Sequence, residues 1–252
     1  MPLGELHKQV ASIALHAAKG HGFALGGSNA LIAHGLIQRP TLDVDLFTDQ
    51  EHGVEAAAGV VEGALAAEGF RVERRDKTAG LSDIFDGMGE GLAEWLITAP
   101  AGEQMALQIA YFDRGNEPVV MEFGPVLDLQ DALGGKVAAL ASRSYERDYW
   151  DTSAALQRYT PEQLIGFARR LDPGLQAEDF ANAGRRLDRT ADEAFADLGL
   201  TAQDIATLRQ RFTRWPRHAE PRADREAGTM RPAADEPWHG ADKGESEPEP
   251  RL

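Results

Sequence analysis

The fold is decided by one stretch of the sequence, residues 26–47, which reads GGSNALIAHGLIQRPTLDVDLF. A short apolar run at residues 22–26 leads into the glycine pair and predicts a buried strand. Residues 28–36 then predict a helix, with Ser28 as its N-cap. A strand–turn–helix unit of this kind directs backbone N–H groups and the positive end of a helix dipole to one place, which suits a phosphate group.

The same stretch ends in two carboxylates. Residues 43–48 alternate with period two and predict a strand that has one buried face. Asp43 and Asp45 would project from one side of this strand, with Val44 and Leu46 on the buried side. Paired carboxylates repel each other unless a cation lies between them, and Mg²⁺ binds carboxylates together with substrate phosphates. The spacing therefore predicts a Mg²⁺ site on Asp43 and Asp45 that assists displacement at the phosphate of a nucleoside triphosphate (NTP).

The rest of the chain predicts an α/β (α+β) domain with a small mixed sheet, followed by a C-terminal helical domain. Helical spacing marks residues 6–19 and 54–67, and strand patterns mark residues 70–74, 94–98 and 105–112. After residue 127 only helices are predicted, with breaks near residues 160, 172 and 199. We expect domains at 1–125 and 126–217, and a disordered tail at 218–252, where aliphatic residues are nearly lacking.

Composition narrows the functional class. The chain has 252 residues and no cysteine, which excludes disulfides, thiolate metal sites and a cysteine nucleophile. Residues 1–10 contain no apolar segment typical of a signal peptide, and no apolar run is long enough to span a membrane. We therefore expect a cytoplasmic protein without membrane contact.

The charge of the chain bears on its partners. The formal net charge of −15 is unusual for a protein that binds nucleic acid broadly. A local basic face remains open, and the alternative is a set of solvated helix faces. The arginines concerned are Arg169, Arg170, Arg185, Arg186, Arg189, Arg209, Arg211, Arg214 and Arg217.

Two blocks of sequence resemble a known family. A Gly-Gly-Ser turn, a helix and a strand with an Asp-x-Asp pair resemble the DNA polymerase β-like nucleotidyltransferase superfamily. Within it, residues 39–46 (RPTLDVDL) look like the R-x-T-x-D-(I/V)-D-(L/F) segment of the AbiEii/AbiGii-type toxins, which include the MenT-type tRNA-modifying toxins. Residues 128–151 (DLQDALGGKVAALASRSYERDYWD) are similar to a helix pair of the same toxins. The resemblance covers roughly residues 20–160.

The resemblance implies roles for individual residues. Asp43 and Asp45 fall on the metal-binding carboxylates. The other correspondences are Gly27 and Ser28 with the phosphate-contacting turn, Lys136 with a lysine that contacts the triphosphate, and Asp151 with a later active-site aspartate. Arg39 and Thr41 belong to the same segment and are further candidates for nucleotide binding.

Alternatives remain for several of these residues. Lys136 lies in an apolar helix and must either extend to solvent or meet an anion. Thr41 would contact a phosphate or the acceptor, or would serve only as a strand-forming residue. Asp148 competes with Asp151 for the later aspartate position.

The sequence also departs from the superfamily pattern. Many superfamily members carry a third carboxylate on a later central strand, where residues 105–112 offer only Gln108 in the middle. Asp113 follows this strand and Glu103 precedes it. A neutral amide cannot replace the charge of a carboxylate, so two-metal catalysis is in doubt, and compensation by Asp151 stays open.

The resemblance implies an RNA acceptor, plausibly the 3′ end of tRNA, and a toxin with a cognate antitoxin protein. A small-molecule acceptor, as in antibiotic-modifying relatives, is the alternative enzyme. An inactive nucleotide-binding relative is a further alternative, which Gln108 motivates. Finally, the two blocks could coincide in an ordinary α/β domain, which predicts that Asp43 lies far from Ser28.

Overall fold

The computed structural model describes residues 3–75 and 91–219, and the chain up to Ala219 forms one compact unit, Met1–Ala219. The described α-helices are α1 (Glu5–Ala17), α2 (Gly27–Ala33), α3 (Gly53–Ala67), α4 (Leu129–Ser142), α5 (Glu146–Ala155), α6 (Pro161–Leu171), α7 (Ala177–Arg189), α8 (Asp192–Ala196) and α9 (Ala202–Arg211). The described strands are β1 (Ala24–Leu25), β2 (Asp43–Thr48), β3 (Arg71–Arg74), β4 (Leu92–Thr98), β5 (Gln104–Tyr111), β6 (Val119–Met121) and β7 (Gly124–Val126). The predicted mixture of strands and helices is confirmed.

The strands form one mixed sheet in the order β3-β4-β5-β2-β1-β7-β6. Strand β2 runs parallel to β5 and antiparallel to β1, so the predicted Asp-x-Asp strand lies in the middle of the sheet. Strands β6 and β7 were not predicted from the sequence. Each has three residues, too few for an alternating pattern to stand out.

Burial along β2 follows the predicted alternation. Val44 and Leu46 are fully buried, whereas Asp43 and Asp45 are half-buried. Helices α1 and α3 pack against each other; α1 also contacts β2, and α3 contacts β5. The apolar face of β2 thus belongs to the core, and the two carboxylates are left on the opposite face of the strand.

The change from strands to helices falls between the end of β7 at Val126 and the start of α4 at Leu129. Two of the predicted breaks are helix starts, because the hydroxyls of Thr160 and Thr201 cap α6 and α9. Helix α4 packs against α5, α6 and α7, and it also packs against α2, the helix that follows the Gly-Gly-Ser turn. From residue 220 onward, the predicted disordered tail lies outside the described residues. No helix in the described ranges is both long and apolar enough to cross a membrane.

The contact between α4 and α6 requires a glycine. A Cβ at Gly134 would lie 2.7 Å from Leu171 Cδ1 and 2.8 Å from the carbonyl oxygen of Phe167, whereas a Cβ at Gly166 would meet nothing within 4 Å. We predict that Gly134→Ala lowers the free energy of unfolding by about 1–3 kcal/mol, because α6 must shift. The matched change Gly166→Ala should raise it by up to about 1 kcal/mol through helix propensity. Urea denaturation of both variants measures this, and equal effects would contradict the close helix contact.

Candidate active site

The turn between β1 and α2 lies directly against the carboxylate pair. Gly27 has φ +57°, and a Cβ there would lie 1.9 Å from Asp45 Oδ2. A Cβ at Gly26 would lie 2.1 Å from the ring of Phe47. Only glycine combines this backbone conformation with so close an approach. The first turn of α2, with its unpaired N–H groups, therefore faces the side of β2 that carries the aspartates.

The expectation that Ser28 caps α2 was wrong. The helix begins at Gly27 with Gly26 as its N-cap, and no side chain caps it. Ser28 lies inside the first turn, where it is buried and points toward α4 and α5 instead of toward the helix N–H groups. Its hydroxyl donates to Asp151 at 3.0 Å and accepts from Arg39 at 2.5 Å and from Lys136 at 2.9 Å.

Asp151 is the centre of this cluster. Two of the three guanidinium nitrogens of Arg39, Nε and Nη2, donate to its two oxygens at 2.7 and 2.8 Å, and Lys136 Nζ lies 3.2 Å from Oδ2. Burial alone would raise the pKa of Asp151, but the hydrogen bond from Arg39 and the charges of Lys136 and Arg39 outweigh burial and lower it. Both oxygens are thus occupied by cations and a hydroxyl. These contacts favour a role for Asp151 in holding the cationic side chains, and they give no support to Asp151 as a replacement metal ligand.

The contact with Asp151 decides between the two alternatives for Lys136, which were extension to solvent and contact with an anion. Its side chain is only 12% exposed, so it does not simply extend to solvent but meets the carboxylate of Asp151. The competing residue, Asp148, is also buried, but its carboxylate accepts two hydrogen bonds from Arg143, at 3.0 and 3.2 Å. Asp148 therefore stabilises the start of α5, and Asp151 is the aspartate that reaches the cluster around Ser28.

Within the described ranges, the carboxylates of Asp43 and Asp45 take part in no ion pair, in contrast to that of Asp151. Burial and the negative charge of Asp43 raise the pKa of Asp45 to about 6, against the lowering influence of Lys136, Arg147 and Arg143. The repulsion is what a divalent cation would relieve, and two adjacent carboxylates are ligands that Mg²⁺ accepts. The residues present therefore fit a magnesium ion. Within residues 3–75 and 91–219, no group of three or more histidine, aspartate or glutamate side chains is placed to hold a metal.

The position of a third carboxylate is filled by an amide. Gln108 on β5 is paired in register with Asp45, and Glu94 on β4 is paired with Gln108. Because neighbouring strands are about 4.8 Å apart, the Cα atoms of Glu94 and Asp45, which are two strands apart, are separated by roughly 9–10 Å, too far for the two residues to share an ion. Its side chain pairs with Arg75 at 3.3 Å. The described site offers one carboxylate pair and so favours a single metal ion.

Asn29 was missed by the sequence analysis. It is fully buried, donates to the carbonyl oxygen of Asp43 at 2.6 Å, and accepts from the hydroxyl of Thr41 at 2.8 Å. Thr41 therefore helps to position the entry into β2, and its hydroxyl is already engaged. Since Asn29 adjoins Ser28, the contact also excludes the alternative in which Asp43 lies far from the turn.

Comparison with known proteins agrees with this arrangement. The family model for "Nucleotidyl transferase AbiEii toxin, Type IV TA system" matches residues 10–227. The structure is similar to MenT4, a nucleotidyltransferase toxin from Mycobacterium tuberculosis, with a TM-score of 0.57 and 15% identity over 82% of each chain. It is also similar to JHP933 from Helicobacter pylori, with a TM-score of 0.50 and 16% identity over 83% of this chain and 91% of that one. At these identities the structural likeness concerns the fold alone. No curated protein sequence matches the chain.

The raised pKa of Asp45 should make the free energy of unfolding depend on pH. The folded-state pKa of about 6 exceeds the ordinary value of 3.8, so the wild type loses stability as the pH rises from about 4 to about 6. We predict that Asp45→Asn raises the free energy of unfolding of the metal-free protein by about 1–2 kcal/mol at pH 7.5, and by much less at pH 4.5. Thermal unfolding at both pH values, with EDTA, measures the difference. A variant less stable than the wild type at pH 7.5 would refute the repulsion.

Asp151 should respond in the opposite direction. Replacing it by asparagine leaves the buried cations of Arg39 and Lys136 without their counter-ion, so we predict that Asp151→Asn lowers the free energy of unfolding by about 3 kcal/mol. Urea denaturation at pH 7.5 without metal gives this value. A variant as stable as the wild type would show that the carboxylate does not hold the two cations together.

Proposed function

Because the chain belongs to the AbiEii nucleotidyltransferase toxin family, we propose that it transfers a nucleoside monophosphate from a magnesium-bound NTP to the 3′ hydroxyl of an RNA, with tRNA as the first acceptor to test. The family resemblance predicted from the sequence is confirmed by the match over residues 10–227. As a nucleotidyltransferase toxin of a type IV toxin–antitoxin family, it has a nucleotide substrate and an antitoxin partner.

One observation carries the proposal. The Gly27–Ser28 turn lies against Asp45, while Arg39 and Lys136 both reach the hydroxyl of Ser28 from distant parts of the sequence. Helix N–H groups, two cations and two carboxylates thus converge on one end of β1 and β2. This is the set of groups that a nucleoside triphosphate with its metal ion requires.

Each group has a role in this reaction. Asp43 and Asp45 would hold Mg²⁺, which when bound neutralises charge on the phosphates and on the leaving pyrophosphate. The N–H groups of Gly27 and Ser28 would bind phosphate oxygens. Lys136 and Arg39, both nearly buried, would contribute positive charge where the triphosphate lies.

Asp151 would act as a positioning residue in this arrangement. Its bidentate contact with Arg39 and its ion pair with Lys136 fix two long side chains before any nucleotide arrives. Cations that are already oriented need little rearrangement when charge develops on the phosphates, and this is how preorganised groups accelerate a reaction.

The local charge of the site supports the choice of a polyanionic acceptor. Several of the later arginines are paired with carboxylates of the same C-terminal helical region: Arg185 with Glu178, Arg209 with Asp192, and Arg217 with Asp188. They do not support a broad basic face. Arg143 and Arg147 do act on Asp45, so positive charge does border the carboxylate pair. This local charge favours a polyanionic acceptor, which a few cations at the site can bind despite the net charge of −15.

The proposal predicts a labelled product. Incubation of the wild type with each α-³²P-labelled NTP, Mg²⁺ and total tRNA should transfer label to tRNA. Asp43→Ala should reduce this transfer by on the order of a hundredfold or more, because the metal loses half of its carboxylate ligands. Removal of the metal with EDTA should abolish transfer, and added Mg²⁺ should restore it.

A matched carboxylate serves as the control. Asp113 is exposed and follows the far end of β5, so Asp113→Ala should leave transfer unchanged. Label on a small-molecule pool but not on tRNA would replace the RNA acceptor with the small-molecule alternative. Nucleotide binding without labelled product in either pool would indicate the inactive relative.

A further inference from the structure

The loop between α4 and α5 presents an exposed aromatic residue next to the candidate site. Tyr145 is 48% exposed, and among the aromatic side chains of the described residues only Tyr111 is also exposed. The guanidinium carbons of Arg143 and Arg147 lie 5.1 and 5.9 Å from the centre of its ring. Aromatic rings flanked by guanidinium groups are surfaces on which nucleobases stack.

The position of Tyr145 is held from several sides. Ser144 adopts φ +52° and bonds to the carbonyl oxygen of Leu140 at 2.6 Å, which fixes the end of α4. The buried carboxylate of Asp148 accepts from the backbone N–H of Tyr145 at 3.3 Å and from Arg143. The hydrogen bond to Asp148 is made by the backbone N–H of Tyr145, whereas its ring contacts the guanidinium groups of Arg143 and Arg147.

The two arginines differ in their surroundings. Arg143 is anchored by Asp148 and is 27% exposed. Arg147 is exposed, and within residues 3–75 and 91–219 it takes part in no ion pair. The loop joins α4, which carries Lys136, to α5, which carries Asp151, so it lies close to the cluster around Ser28. An anionic ligand held there would find one fixed and one adjustable cation.

The spacing between Lys136 and Arg143 indicates that a nucleobase stacked on Tyr145 would belong to the NTP. Arg143, the C-cap residue of α4, follows Lys136 by seven residues, or about two helical turns, so both side chains start from the same side of the helix, about 10 Å apart. This separation is comparable to the distance from the terminal phosphates of an extended nucleotide to its base. A triphosphate at Lys136 would thus bring its own base to the loop.

We propose that Tyr145, flanked by Arg143 and Arg147, forms the subsite on which the base of the incoming NTP stacks. The inference rests on the proposed function, because Lys136 must receive the triphosphate. Stacking on an aromatic face tolerates every base, so this subsite binds all four NTPs and selects among them only weakly.

The experiment measures binding without turnover. Isothermal titration in Mg²⁺ compares each of the four NTPs with inorganic tripolyphosphate, which has no base. Tyr145→Ala should weaken NTP binding about tenfold or more and leave tripolyphosphate binding unchanged, since only the stack is lost. Tyr145→Phe should bind NTP as the wild type does, because the phenyl ring keeps the stacking face. Tyr111→Ala removes another exposed tyrosine, at the far end of β5, and should have no effect.

The outcomes separate this inference from the proposed function. NTP binding by Tyr145→Ala within twofold of the wild type, or an equal loss for tripolyphosphate, overturns the stacking subsite. A higher KM for the RNA acceptor with unchanged NTP binding also overturns it, because the stacked base would then belong to the acceptor. A wild type that binds NTP through Tyr145 but labels no acceptor retains the subsite and refutes the proposed transfer.

Discussion

The buried carboxylate of Asp151 is the interaction on which the arrangement of this site depends. It joins α5 to Arg39 in the segment before β2, to Lys136 on α4, and to Ser28 at the start of α2. An unpaired charge in this environment would be strongly destabilising, so the burial of Asp151 depends on its contacts with Arg39 and Lys136. The helices that follow the sheet are therefore part of the site, because they supply the counter-ion and one of the two cations.

The site combines one satisfied carboxylate with one that is not. Asp151 has a lowered pKa, because cations and a hydroxyl outweigh the effect of burial. Asp45 has a raised pKa, because burial and the neighbouring Asp43 outweigh the more distant cations. The unfavourable charge repulsion thus lies at Asp43 and Asp45, the pair that a divalent cation would neutralise. Such strain is tolerated where the surrounding fold is rigid, and here β2 is held between β1 and β5 in the centre of the sheet.

Close approach of backbone to side chain is the second constraint. The turn after β1 can reach Asp45 only because Gly26 and Gly27 have no side chain, and Gly27 also needs a positive φ. Asn29 then fixes the distance between α2 and β2 through the carbonyl oxygen of Asp43. The start of α2, which would bind phosphate, and the strand β2, which would bind the metal ion, are consequently positioned by residues of one short segment, 26–47.

The sequence by itself determined what depends on local pattern. The alternation of residues 43–48 predicted β2 with both of its faces. The Gly-Gly-Ser turn predicted the start of a helix near Ser28, although the N-cap was assigned two residues too late. Two of the helix breaks predicted from the sequence, near residues 160 and 199, are confirmed as helix starts, which Thr160 and Thr201 cap. Only the tertiary structure decided how Asp151, Arg39 and Lys136 pair, that Gln108 lies beside Asp45, and that Tyr145 stays exposed. These facts rest on strand register and on packing between residues far apart in the chain, where spacing in the sequence carries no information about distance in space.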